Sequence, residues 1–179
     1  MSKSLATWFT PSLQTISRSA GRSAVAAAAY RACVKLIDQT TGLIHDYTRK
    51  RGHVETLLVG ADDISELWNK AEAAETRKNS TVARELMLPL PDQWTDNERR
   101  ACVLDIAQHL RDTYGVAAAG SIHAANRHDR NGHCHLMFTT RVVDDDGNFG
   151  KKTRILDDMK TGEVKRLREA ICKIINDHA

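Results

Sequence analysis

The run HCHLMFTT, His133 to Thr140, constrains this chain more than any other stretch. It reads as a strand, and successive side chains on a strand point to opposite faces. His133, His135, Met137 and Thr139 therefore share one face, and Cys134, Leu136 and Phe138 share the other. The second face is apolar enough to pack on helices. The first presents two imidazoles about 7 Å apart. His123 ends a preceding apolar segment, GSIHAA, and the loop between is Gly, Asn and charge. Such a loop can fold an antiparallel neighbour back beside the first strand. A lone buried histidine is usually a satisfied core residue. Two on one strand face, with a third one loop away, instead suggest a metal site. Three neutral imidazoles from two strands leave coordination positions open. His128 and Asp129, inside the loop, read as a solvated turn.

Around that strand, 179 residues suit one compact domain with a real core. The formal net charge of +3 permits a nucleic-acid partner without requiring one. The four cysteines, at 33, 102, 134 and 172, form no CxxC pair. There is no secretory segment and no apolar run long enough to span a bilayer. The expectation is a reduced, cytoplasmic protein.

The opening LATWFTPSLQTIS has strand composition, with Pro11 marking an edge or bulge. The alanine-rich run that follows predicts a helix from about Arg22 to Leu36, started near Ser19 or Gly21. Residues 37–53 read as an exposed hairpin or loop carrying Arg49, Lys50 and Arg51. VETLLV is a short strand, and Asp63 with Glu66 opens a helix to about Arg77. Residues 81–88 read as a strand with Glu85 on the face of Ala83 and Met87, at the sheet rim or beside a histidine. Thr95 and Glu98 match a capping box that opens a helix to Tyr114, stopped by Gly115. A last amphipathic helix spans about 163–177, with Val164, Leu167, Ile171 and Ile174 inward. The order is strand, helix, strand, helix, strand, helix, strand, strand, helix. It predicts an α+β two-layer sandwich: an antiparallel or mixed sheet, helices packed on one face, and the active site on the open face.

Two stretches carry a resemblance. QTISRSAGRSAVAAAAYRA looks like the first motif of the MobA/MobL-type conjugative relaxases, of the HUH endonuclease superfamily. IHAANRHDRNGHCHLMFTTR looks like their third motif, and DYTRKRG and the strand ending in Leu-Pro extend the match over most of residues 13–141. By spacing alone Tyr30 is a core residue of an alanine-rich helix. The resemblance instead implies that Tyr30 is the nucleophile. It would attack a scissile phosphate at a plasmid origin of transfer, leaving a 5′-phosphotyrosyl enzyme and a free 3′-hydroxyl, and rejoining would reverse the step. The resemblance also implies that His123, His133 and His135 hold a divalent ion. Magnesium or manganese is expected, and zinc, cobalt or nickel also suit imidazoles. Glu85 stands where relatives carry a glutamate, with a supporting or proton-handling role. Residues 1–179 then form a single nicking domain that can stand at the N-terminal end of a longer protein. Single-stranded and hairpin origin DNA are the implied partners, with accessory relaxosome proteins and a type IV coupling protein. Arg18, Arg22, Arg31, Lys50, Arg51 and Arg141 are the candidate DNA contacts, in a positive groove with few aromatic stacking platforms.

Two other functions compete. A rolling-circle replication initiator would use the same chemistry, although a single tyrosine ahead of the histidines favours mobilisation. A non-catalytic DNA-binding module with a structural metal would usually close its shell with four ligands.

Overall fold

A computed structural model describes residues 11–127 and 132–179. The expected turn at His128 and Asp129 lies outside the described residues, as does the part of the opening strand before Pro11. Five antiparallel strands form the main sheet: β1 (Ser12–Ser17), β4 (His53–Val59), β5 (Thr81–Leu90), β6 (Ala118–His123) and β7 (Gly132–Thr139). Their spatial order is β1-β5-β7-β6-β4. The histidine strand β7 is therefore central, and Pro11 stands just before an edge strand, where a missing N–H is tolerated. Two small hairpins stand apart from the sheet. One pairs β2 (Lys35–Ile37) with β3 (Ile44–Asp46), and the other pairs β8 (Arg141–Val143) with β9 (Phe149–Lys152).

On one face, Leu86, Leu88 and Leu90 of β5 join Cys134, Leu136 and Phe138 of β7. The helix α3 (Asp96–Tyr114) covers them with Val103, Ile106, Ala107 and Leu110. Thr95 and Glu98 form the expected capping box, and Gly115 closes the helix in the left-handed region, at φ 72°. The last helix, α4 (Glu163–His178), adds Val164, Leu167, Ile171 and Ile175, with Ile174 only partly buried.

The α+β class and the antiparallel sheet are borne out. The arrangement of helices is more two-sided than expected. The helices α1 (Ala24–Ala32) and α2 (Ile64–Ala73) pack on the second face. There Ala24, Val25, Ala28 and Ala29 meet Trp68, Ala71, Ala83, Ala119 and Met137 in a separate core. Alanines on α1 let its backbone come close to both α2 and the sheet. This pair covers the Met137 end of β7 and leaves the His133 end open, so the open face is half a face.

Two boundaries also move. α1 is shorter than the expected Arg22–Leu36. Ser23 caps it by accepting from the Ala26 N–H at 3.2 Å, and Cys33 ends it at φ 54°, donating its N–H to Ala29. The run Lys35–Ile37 after Cys33 is drawn off into β2. α2 stops at Ala73 rather than near Arg77. Among the described residues no helix is long and apolar enough to cross a membrane.

Candidate functional site

The register of the central strands assembles the histidines. His123 on β6 lies opposite His133 on β7, and Ser121 lies opposite His135. Opposed residues of an antiparallel pair share a face. The ring centroids of His123, His133 and His135 are accordingly 5.3, 5.5 and 5.1 Å apart, taken in pairs. Across β7, Met87 opposes His135 and Glu85 opposes Met137, which places Glu85 diagonally beside His135.

The end of α1 closes one side of this cluster. Nε2 of His123 donates to the Arg31 carbonyl oxygen at 2.7 Å, which puts the His123 lone pair on Nδ1. The Arg31 guanidinium forms a two-point ion pair with Glu85, Nε to Oε2 and Nη2 to Oε1. Glu85 Oε1 in turn lies 3.5 Å from Nδ1 of His135, at the edge of hydrogen-bond reach. Residue 31 thus touches two parts of the cluster, and Tyr30 is its neighbour in the chain. Tyr30 is 44% exposed. Its ring packs edge-on against Tyr47, and the Lys50 ammonium lies over its face.

Electrostatics separate the roles. Burial lowers the His123 pKa to about 4, reinforced by the charges of His135, His133 and Lys50 and partly offset by the bond to Arg31. His123 is neutral at pH 7, as a ligand imidazole must be. Burial pushes Glu85 upward, but hydrogen bonds and charges from His135 and Arg31 outweigh it and hold the carboxyl at about 2. A carboxylate that acidic does not take a proton at neutral pH. The geometry suits Glu85 to orienting His135 rather than to moving protons.

Three imidazoles at these separations fit one ion in number and kind. Rings held at about 2.1 Å from a shared ion, at near-tetrahedral angles, have centroids about 5 Å apart. Among the described residues, no three His, Cys, Asp or Glu side chains are disposed as ligands as they stand. His123 would coordinate through Nδ1, or turn away from the Arg31 carbonyl.

Three of the candidate DNA contacts are held in internal ion pairs instead. Arg18 pairs with Glu72 at 2.7 Å and donates to the carbonyls of Glu72 and Glu75, fastening the end of α2. Arg141 pairs with Glu75 at 2.7 Å and donates to Gly150. Arg31 is spent on Glu85. Arg22 and Arg51 are exposed, and Lys50 folds back on Tyr30. The sequence reading missed two residues. His53 on β4 lies opposite His123, its ring 5.8 Å away, and Tyr47 borders Tyr30. His53 heads a strand in the sequence, but only cross-strand register brings it to the cluster.

Known proteins are similar to this chain in sequence and in fold. The MobA/MobL family profile matches residues 22–177. Mobilization protein MobL of Acidithiobacillus ferridurans is 39% identical over 86% of this chain and 48% of that protein. Conjugal transfer protein TraA of Agrobacterium fabrum (strain C58 / ATCC 33970) is 32% identical over 81% of this chain and 14% of that protein. The chain thus spans half or less of the length of these relatives. Among solved structures, a chain from "Molecular Basis of Vancomycin Resistance Transfer in Staphylococcus aureus" superposes with a TM-score of 0.80 at 25% identity, covering 94% of this chain and 90% of that one. The conjugative relaxase TrwC in complex with oriT DNA shares the fold, with a TM-score of 0.52 at 11% identity over 94% of this chain and 67% of that one. With residues 22–177, most of its length, matched by the family profile, this chain belongs to the MobA/MobL family.

Proposed function

We propose that this chain is the nicking domain of a conjugative relaxase. It cuts one strand at a plasmid origin of transfer and rejoins it. The observation that supports this reading is that residue 31 ties the last turn of α1 to both His123 and Glu85, and Tyr30 is its neighbour in the chain. The Tyr30 Oη–phosphorus bond forms as the phosphorus–O3′ bond breaks. The phenol gives up its proton and the departing 3′-oxygen gains one. The product is a 5′-phosphotyrosyl enzyme and a free 3′-hydroxyl strand. The ester keeps the energy of the cleaved bond, so resealing needs no nucleotide.

A free tyrosine, with a pKa near 10, is a weak nucleophile at neutral pH. A divalent ion, magnesium or manganese, held by His123, His133 and His135 would neutralise phosphate charge and favour the phenolate. Glu85 orients His135, and Arg31 fixes Glu85. Arg22 and Arg51, both exposed, would contact the DNA backbone. TrwC structures are described with oriT DNA and with a recognition hairpin, and the shared fold supports the same partner here. The protein would act in the cytoplasm, within a longer polypeptide and with relaxosome and coupling-protein partners.

The test uses labelled single strands tiling the DNA that flanks the protein's own gene, with manganese. A denaturant-stable, protease-sensitive adduct mapping to Tyr30 by mass spectrometry is expected, and Tyr30→Phe abolishes it while strand binding persists. An adduct that survives Tyr30→Phe would falsify the assignment.

A further inference from the structure

Lys50 does not extend into solvent, as a lysine between Arg49 and Arg51 is expected to do. Its Nζ lies 3.4 Å from the centroid of the Tyr30 ring and 3.2 Å from the Tyr30 carbonyl oxygen. Tyr47 meets the same ring edge-to-face, with centroids 5.1 Å apart and planes at 84°. Both groups come from one turn, in which the Lys50 N–H donates to the Tyr47 carbonyl at 3.0 Å. The turn is fastened just beyond α1 by the Tyr47 N–H, which donates to Val34 at 3.2 Å. The ring is therefore flanked by the ammonium over one face and by the Tyr47 ring at right angles, while much of it stays open to solvent.

An exposed side chain ordinarily hops between rotamers within nanoseconds. In-line attack on phosphorus needs the phenol oxygen in one place. We propose that Lys50 is a positioning residue for Tyr30, its ammonium on the ring face and the Tyr47 ring beside it holding the phenol in one rotamer. This rests on Tyr30 being the nucleophile. A cation over an aromatic face is attracted by the ring quadrupole, and the bond to the Tyr30 carbonyl fixes the ammonium laterally. The competing role, a plain phosphate contact, calls for an ammonium directed outward and for an effect on strand affinity alone.

Two variants and two measurements decide between them. Lys50→Met keeps the stem and removes the charge, and Lys50→Arg keeps a cation for the ring. The first measurement needs no DNA. In the wild type, the Tyr30 ring current moves the Lys50 ε-methylene proton resonances upfield, and Tyr30→Leu returns them to ordinary lysine values. Ordinary values in the wild type overturn the proposal. The second follows adduct formation on the tiled single strands with manganese. Lys50→Met lowers the saturating rate about tenfold while the half-saturating strand concentration stays within about twofold, and Lys50→Arg restores most of the rate. A change confined to half-saturation makes Lys50 a phosphate contact and overturns the proposal. If the wild type forms no Tyr30 adduct, the nucleophile assignment fails, and the resonance measurement alone still decides whether Lys50 holds the ring.

Discussion

At the scale of single residues, Arg31 and Glu85 form the joint between the tyrosine helix and the histidine strands. Both side chains are largely buried, 14% and 7% exposed. An ion pair in that position contributes little net stability when intact, but removing one partner leaves an uncompensated charge. Glu85→Gln is expected to destabilise the fold by about 3 kcal/mol, read as a fall in the urea midpoint at unchanged slope. It also frees His135 from its orienting carboxylate, and manganese affinity is expected to drop by about tenfold or more. Unchanged affinity in calorimetry would remove Glu85 from the site. The same joint engages the Arg31 charge and two of its five N–H donors, so Arg31 is expected to contribute less to DNA binding than an exposed arginine.

At the scale of elements, the approach of α3 to the sheet depends on Gly120. A β-carbon there would lie 2.8 Å from Val103 Cγ1 and 3.2 Å from Leu136 Cδ1. Gly120→Ala must push α3 outward, at a cost of about 1–3 kcal/mol. Thermal unfolding checks this, and an unshifted midpoint would contradict the packing described. Beside the apolar packing of Val143 and Phe149, ion pairs just past the end of α2 attach the β8–β9 hairpin. Glu75 pairs with Arg141 at 2.7 Å and with Lys152 at 3.2 Å. Burial raises its pKa, but those two partners outweigh burial and hold the carboxyl below its ordinary 4.5. A carboxyl depressed in the folded state adds stability above its unfolded pKa, and that stability is lost as pH falls through the folded value. Wild-type stability should therefore drop faster below about pH 4.5 than that of Glu75→Gln. Parallel acid titrations of the two proteins would refute this.

At the scale of the whole molecule, a net charge of +3 understates how the cations are divided. Arg18, Arg31 and Arg141 hold elements together, whereas Arg22 and Arg51 are exposed. Only the exposed group can release counterions from a DNA strand. Arg51→Glu is expected to weaken single-strand binding and to reduce its salt dependence by about one ion per charge removed. Arg18→Ala should lower stability with little change in that slope. Equal slopes for wild type and Arg51→Glu would place the DNA elsewhere.

Local pattern alone determined a good deal. Alternation in HCHLMFTT gave one face to the histidines and the other to the α3 core, because a two-residue period is a property of the extended backbone itself. The Thr95–Glu98 capping box and the Gly115 stop were equally readable, since caps are satisfied within a few residues. What lay beyond the sequence were the contacts made across it. The β4–β6 register brings His53 to His123, and the packing of α1 spends Arg31 on Glu85 and folds Lys50 onto Tyr30. A charged side chain looks the same in a sequence whether it faces solvent or a buried partner, and only the tertiary structure supplies the partner.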